Sequence, residues 1–417
     1  MNSDARHLTL PADFFRGNRT KLLEQIPEPC FVIVYAGNPV ALSADTDYRY
    51  SVNRNFYYLT GIQQSGSVLV MSKSAGKVNE TLFIHPTDPI RERWNGKLMA
   101  PEEVKTLSSI NEICWLPAFE DRLSDILNQS GINFCLDFSN HRSEAQALRG
   151  RISELIQNVT VTDISSHLTR MRMVKKSCEI KAIESAIELT GNALAATAKK
   201  MSESVSELLI YADLDYEMAK QGCLIPAFTT IAAGGENTLC LHYIEPDNQR
   251  LAPGTLVQVD IGGVAGGYSA DISRVFPIGG RFSTRQKQLY QIVRACQEKA
   301  FSTIKPGVTL ADINRVVSDV AVELLRDMGV LSSDQDISSY VWHNSAHHLG
   351  LDVHDVSFRY EPLCESNVLA VEPGIYIPEW GFGFRIEDDV LVTADGCRLL
   401  SSRIPVNADE IERMILS

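Results

Sequence analysis

The sequence holds no Cys-x-x-Cys pair, although nine cysteines are scattered along it: Cys30, Cys114, Cys135, Cys178, Cys223, Cys240, Cys296, Cys364 and Cys397. Zinc-ribbon and thioredoxin-like sites need closely spaced thiols, so both are excluded. An odd count without pattern also argues against a disulfide framework, and buried free thiols are expected. Long apolar runs are missing too, for nothing approaches the roughly 18 uninterrupted residues of a membrane helix. The first residues, MNSDARHLTLPADFF, lack a basic stretch followed by an apolar core, so no secretory signal is read and a cytoplasmic protein with no membrane partner is expected. Positive charge is scarce: 39 Lys and Arg face 52 Asp and Glu, a formal charge of −13. A surface of that sign repels phosphate backbones and excludes nucleic acid as an expected partner.

What is present has the balance of a soluble globular protein, with 44% apolar and 22% charged residues. At 417 residues the chain is long enough for two units, each with its own core. Up to about residue 165, short apolar runs at 30–37, 65–72, 81–86 and 133–139 predict strands, and amphipathic stretches at 12–25, 119–129 and 142–156 predict helices. This alternation predicts an α/β domain with a largely buried sheet. The basic, aperiodic stretch SSHLTRMRMVKKSCE (165–179) marks a connection and puts a boundary near residue 170.

Beyond it, Ile180, Ile183, Ile187 and Leu194 recur at helical spacing, and Ser204 with Glu207 forms a capping-box signature for the next helix. Ser283 with Gln286 opens another helix, to about residue 303. Thr309 with Asp312 opens a fourth, which should stop at Gly329. Strand-like segments at 255–262, 267–279, 368–377 and 382–393 are separated by glycines that suggest antiparallel hairpins. The C-terminal unit is therefore read as α+β, with long helices on one face of a curved sheet.

Chemistry concentrates in that unit. Asp260 and Asp271 are an odd number apart and cannot share a face of one straight strand, but a hairpin through the glycine-rich turn 262–267 sets them side by side. The same holds for Glu372 and Glu387, joined by a segment containing Pro373, Gly374 and Gly381. Apposed carboxylates in apolar strands repel one another and resist desolvation, so a compensating cation is expected. Four carboxylates carry more negative charge than one divalent ion neutralises, which favours two ions about 3.5 to 4 Å apart. With His347 they form an oxygen-rich, borderline donor set that suits manganese, cobalt, iron or zinc. Five of the nine histidines fall between His242 and His354 (His242, His343, His347, His348, His354). Those not ligating can donate hydrogen bonds to a substrate.

The words VDIGGVAGGYSADISRVF, HHLGLDVHD, VEPGIYI and RIEDD together resemble the pita-bread (creatinase/aminopeptidase) metallopeptidases, and most closely their aminopeptidase P and prolidase branch. SADTDYRYSVNRNFYYLTGI and RERWNGKL resemble the aminopeptidase P N-terminal domain. The resemblance implies an aminopeptidase P-like α/β domain at 1–170 and a pita-bread catalytic domain at 171–417. It implies Asp260, Asp271, His347, Glu372 and Glu387 as metal ligands, with Asp271 and Glu387 bridging two ions, most readily manganese, with cobalt or zinc as alternatives. Glu372 would also accept a proton from the bridging water. His242 matches a substrate-side histidine, His354 one that stabilises the tetrahedral intermediate, His343 one near the proline-side pocket, and Arg385 an arginine contacting substrate. His348 is read as structural. Asp45 and Trp94 match N-domain residues that reach an active site, Trp94 that of a neighbouring subunit, which implies a homodimer or homotetramer.

The activity implied is cleavage between an N-terminal residue and a following proline, by a metal-bridging hydroxide, in peptides with proline second. The short segment YIPEWGFGF between Glu372 and Glu387 approaches prolidase length, so hydrolysis restricted to Xaa-Pro dipeptides is the alternative. A metal-free binding protein on the same fold is a remoter one, which intact ligands disfavour.

Overall fold

The computed structural model describes residues 8–127, 131–139, 143–156 and 159–417. Two compact units form, one from Thr9–Met171 and one from Arg172–Ser417.

The N-terminal unit is built on a six-stranded mixed sheet. Cys30–Tyr35, Val68–Ser74 and Lys77–Ile84 pair antiparallel, and Asn133–Leu136 pairs parallel with the first of them. These are the four segments whose apolar runs predict strands. The two edge strands, Glu112–Trp115 and Thr160–Asp163, are four residues each and have no buried residue, so no apolar period announces them. Phe31, Ile33, Val68, Phe83 and Phe134 on the sheet pack with Leu123, Ile126, Leu148 and Ile152 from helices Phe119–Leu127 and Ser143–Leu155. The predicted helices 119–129 and 142–156 each include residues (128, 129 and 142) outside those described. The first helix, Ala12–Glu24, matches its predicted span to within one residue.

In the C-terminal unit four helices dominate: Ser177–Ala198, Glu207–Lys220, Thr284–Thr303 and Leu310–Asp327. The last two start with the capping boxes seen in the sequence, Ser283 with Gln286 and Thr309 with Asp312. Gly329, at φ 74°, follows the end of the fourth. The second departs from expectation. Its N-cap is Ser206, whose hydroxyl accepts from Leu209 N, while Ser204 donates to Leu251 O. Glu207 therefore lies at the first helical position, too early to reach back as a capping box would require, and its carboxylate turns elsewhere. The stretch read as a connection contains a helix, Ser165–Met173, because Leu168 and Met171 supply two buried anchors at helical spacing.

The β-structure is a set of short antiparallel ladders. Ile272–Pro277, Leu256–Ile261 and Ile231–Gly234 make one; Ala346–His348, Val368–Val371, Asp388–Val392 and Cys397–Leu399 make another. A small hairpin, Val264–Ala265 with Tyr268–Ser269, turns through Gly266 and Gly267, both at positive φ, as a tight two-residue turn demands. Gln297, from helix Thr284–Thr303, donates to Val371 O, Ile386 O and Asp388 Oδ2, tying helix to sheet.

Among the described residues, no helix is long and apolar enough to cross a membrane. The cysteines are all free, but burial holds only for Cys30, Cys135, Cys223 and Cys296; Cys240 and Cys364 are exposed and the other three half-buried. Isolated cysteines follow the burial of whichever element carries them, and Cys240 and Cys364 lie outside helices and strands.

Candidate metal centre

Strand register assembles the acidic residues. Asp260 pairs with Ser273, and Asp271 stands two residues before Ser273. Cross-strand partners share a face, as do residues two apart, so Asp260 and Asp271 meet despite their odd separation. Val371 pairs with Asp388 and Gly374 with Arg385 in one continuous register, which sets Glu372 opposite Glu387 at the junction of two ladders. His347 pairs with Ala370, two before Glu372, and so joins the same face. Glu387 N donates to Ser273 O at 3.2 Å, bringing the two hairpins edge to edge.

His347 Nε2 lies 3.3 Å from Asp271 Oδ2 and 3.8 Å from both Glu372 Oε1 and Glu387 Oε1. Ligand atoms of Asp260, Asp271 and Glu387 fall within 4.8 Å of one another, as do those of His347, Glu372 and Glu387, and those of Asp271, His347 and His354. Glu387 belongs to the first two sets, so two adjacent positions with three donors each share one carboxylate.

Electrostatics explain why these donors suit cations. Asp260, Asp271 and Glu387 are buried at 6%, 4% and 1% exposure. Burial, followed by the neighbouring carboxylates, raises Asp271 and Glu387 well above the usual range, and burial raises Glu372 to about 7. The guanidinium at the site, Arg385, donates to Asp260 Oδ2, yet Asp260 Oδ1 is buried with no hydrogen-bond partner. His347 Nδ1 sits 3.1 Å from the His348 carbonyl oxygen, which can only accept. The ring proton is thereby assigned to Nδ1 and the Nε2 lone pair faces carboxylate oxygens, the orientation of a metal-binding imidazole held from behind. An orphaned buried oxygen and a lone pair aimed at anions both fit divalent ions between these groups.

The donors open onto a cavity of about 540 Å³ lined also by His242, His343, His354 and Arg385. Burial keeps His343 and His354 neutral by lowering each to about 4. His343 Nδ1 donates to Asn344 O at 2.8 Å, and its Nε2 accepts from Tyr376 OH at 2.9 Å. His354 stacks edgewise on His347, ring centroids 4.3 Å apart. His242 sits on an exposed turn. His348 is buried outside the lining, and burial drives it to about 3. Asp45 and Trp94 belong to the N-terminal unit. There Asp45 is exposed and accepts from the Ser43 and Thr46 hydroxyls, and Trp94 is 85% exposed.

Sequence reasoning missed Tyr376, which orients His343 and stacks on Trp342 at 4.8 Å. It also missed Asp389, whose Oδ2 accepts from Asp271 N at 3.1 Å. The Asp388–Asp389 doublet beside Glu387 was the available signal: consecutive strand residues face opposite ways, and Asp388 indeed turns to Arg274 and Ser401. The apolar wall of Phe228, Leu241, Ile244 and Val353 comes from loops without periodicity and left no trace.

The description "Metallopeptidase family M24" matches residues 181–394, and "Aminopeptidase P, N-terminal domain" matches residues 15–134. Among curated proteins, the chain is 30% identical over 414 residues to Xaa-Pro aminopeptidase 3 of Mus musculus, spanning 92% of this chain and 80% of that one. It is 29% identical over 432 residues to the Xaa-Pro aminopeptidase of Escherichia coli strain K12, spanning 97% of each. Among solved structures, proline aminopeptidase P II from Yersinia pestis superposes with a TM-score of 0.91 at 28% identity, covering 98% of this chain and 100% of that one.

Proposed function

This chain belongs to metallopeptidase family M24, and from that premise we propose that it is a dinuclear Xaa-Pro aminopeptidase, releasing the N-terminal residue of peptides whose second residue is proline. The observation that carries the reading is the pair of three-donor sets sharing Glu387 at one end of the cavity. Asp260, Asp271 and Glu387 would hold one ion and His347, Glu372 and Glu387 the other, with Asp271 beside His347 able to reach both. The oxygen-rich donor set favours manganese, with cobalt or zinc able to substitute. Bound there, the ions would acidify a water and polarise the scissile carbonyl.

The chain's own groups do the rest. Glu372, whose carboxylate lines the cavity beside His347, would take the proton from the attacking water. His354, neutral at physiological pH, donates a hydrogen bond to the carbonyl oxygen as charge develops on it. His242, in the same lining, supports the substrate, and His343, locked by Tyr376 and Asn344, borders the proline ring. The apolar side chains of Phe228, Leu241, Ile244 and Val353 suit a proline whose nitrogen bears no hydrogen.

The short Glu372–Glu387 hairpin favours a second reading, a prolidase confined to dipeptides. That restriction calls for a cation free to clamp the substrate's carboxylate. Among the described lining residues Arg385 is the sole permanent cation, and Asp260 engages it. The longer-peptide reading is therefore preferred. Trp94, with its ring open to solvent, would complete a neighbouring subunit's site in a dimer or tetramer, and Asp45 would reach an active site as well. Two domains meeting near residue 170 and a reducing, cytoplasmic location, consistent with nine unpaired thiols, complete the proposal.

The test is hydrolysis of Xaa-Pro-Xaa, Xaa-Pro and Xaa-Ala-Xaa peptides after chelation and after adding back manganese, cobalt or zinc. Metal-restored cleavage of the first is expected. Undiminished cleavage by metal-free protein overturns the metal assignment, and cleavage of Xaa-Pro alone supports the prolidase instead.

A further inference from the structure

His242, Leu241 and Ile244 line the cavity from a segment with little regular structure: a short 3-10 turn at Gly235–Leu239, then a turn at 241–242 and an irregular run to residue 248. Such a segment needs an anchor if its histidine is to meet a substrate in a fixed place. The anchor is a carboxylate outside the cavity lining. Glu207, first residue of helix Glu207–Lys220 and 1% exposed, turns both oxygens into the segment. Oε1 accepts from Gly234 N at 2.5 Å and Asn237 Nδ2 at 2.8 Å; Oε2 accepts from Tyr243 OH at 3.0 Å and Asp247 N at 2.8 Å. Asn237 Nδ2 also donates to Tyr243 OH at 3.1 Å, closing the network. A carboxylate has about four acceptor positions, and here all are filled by donors that bracket His242 in sequence.

We propose that Glu207 is a positioning residue of the active site, setting where His242 meets the peptide. The inference rests on the reading of His242 as a substrate-side group. A simple role in stabilising its own helix terminus does not account for the pattern, since the four contacts reach residues 27 to 40 positions away. The charge matters as well as the shape. In Glu207→Gln an amide nitrogen replaces one oxygen and confronts a backbone N–H whichever way it turns, Gly234 on one side or Asp247 on the other, and neither backbone group can reverse its role.

The experiment uses the metal-loaded full chain and compares wild type, Glu207→Gln, His242→Ala and the double variant on an Xaa-Pro-Xaa tripeptide, with hydrogen–deuterium exchange over residues 231–250. Glu207→Gln should lower kcat/KM about tenfold, chiefly through KM, and quicken exchange in 234–247 while leaving the other ladders protected. In the His242→Ala background the same change should cost no more than about twofold, because the group it positions is gone. Tyr243→Phe, which removes one donor of the four, should show the same pattern more weakly and serves if Glu207→Gln folds poorly. Equal losses in both backgrounds, or unchanged exchange in 234–247, overturn the inference. A His242→Ala enzyme as active as wild type overturns the reading of His242 itself, and the inference with it.

Discussion

Two clusters of buried charge in the C-terminal unit have been brought to opposite conditions by the same burial. Asp355 lies between Arg172, 2.5 Å away, and Lys175, 3.0 Å away. Burial opposes its ionisation, but the two cations outweigh that cost and hold it at about 2. Among the described lining residues, Asp260, Asp271, Glu372 and Glu387 have Arg385 as their one permanent cation, and burial there pushes Asp271 and Glu387 well up and Glu372 to about 7. The first cluster is complete within the chain and fastens the loop that bears His354. The second is incomplete, with an oxygen of Asp260 left unpartnered. A fold that can neutralise a buried carboxylate with two cations, yet among its described lining residues sets four beside one permanent cation, has a site whose missing charge must come from outside.

The largest effect should come from the incomplete cluster. Glu372→Gln removes the proposed proton acceptor while keeping shape, and kcat for a proline tripeptide should fall about 10³-fold; retention of a tenth of the activity would assign that role elsewhere. His354→Ala should cost about 10²-fold in kcat with metal content unchanged, which atomic-absorption analysis beside the assay checks.

Stability sharpens the contrast, because neutralising one acid in each cluster should act with opposite sign. Asp355→Asn removes the carboxylate that Lys175 and Arg172 share, leaving Arg172 with Asp352, and should destabilise by about 3 kcal/mol, read from denaturant unfolding. In metal-free protein Asp271→Asn relieves repulsion and should stabilise by about 1 kcal/mol; a loss at both positions would erase the distinction.

The smallest effect is in pH. Asp355, depressed in the fold, contributes stability that is fully present above its ordinary 3.8 and lost as pH falls through about 2. Glu372 is raised, so without metal its contribution is present below its ordinary 4.5 and lost as pH rises through about 7. The gain in Tm on adding manganese should therefore grow from pH 5 to pH 8, and calorimetry showing a constant gain would contradict the unpaired carboxylates.

What the sequence made legible follows from range. Hairpin geometry could be read because Asp260 and Asp271, or Glu372 and Glu387, are joined by short glycine-bearing segments, and the five donors do converge. The capping boxes at Ser283 and Thr309 are local and were equally readable. Ser206 displaced Ser204 because Glu207 is engaged by residues 234–247, a tertiary demand invisible to a four-residue motif. The polar edge strands of the N-terminal unit and the Arg172–Asp355 pair were hidden for the same reason: the first bury too little to show a period, and the second joins residues 183 positions apart.

The most direct test is the number of manganese ions bound per chain, measured by equilibrium dialysis with elemental analysis for wild type, Asp260→Asn and Glu387→Gln. Two ions are expected for wild type, one for Asp260→Asn, and fewer than one for Glu387→Gln, whose carboxylate belongs to both donor sets. A single ion in wild type at saturation, or two retained in Glu387→Gln, would contradict a dinuclear centre built around Glu387.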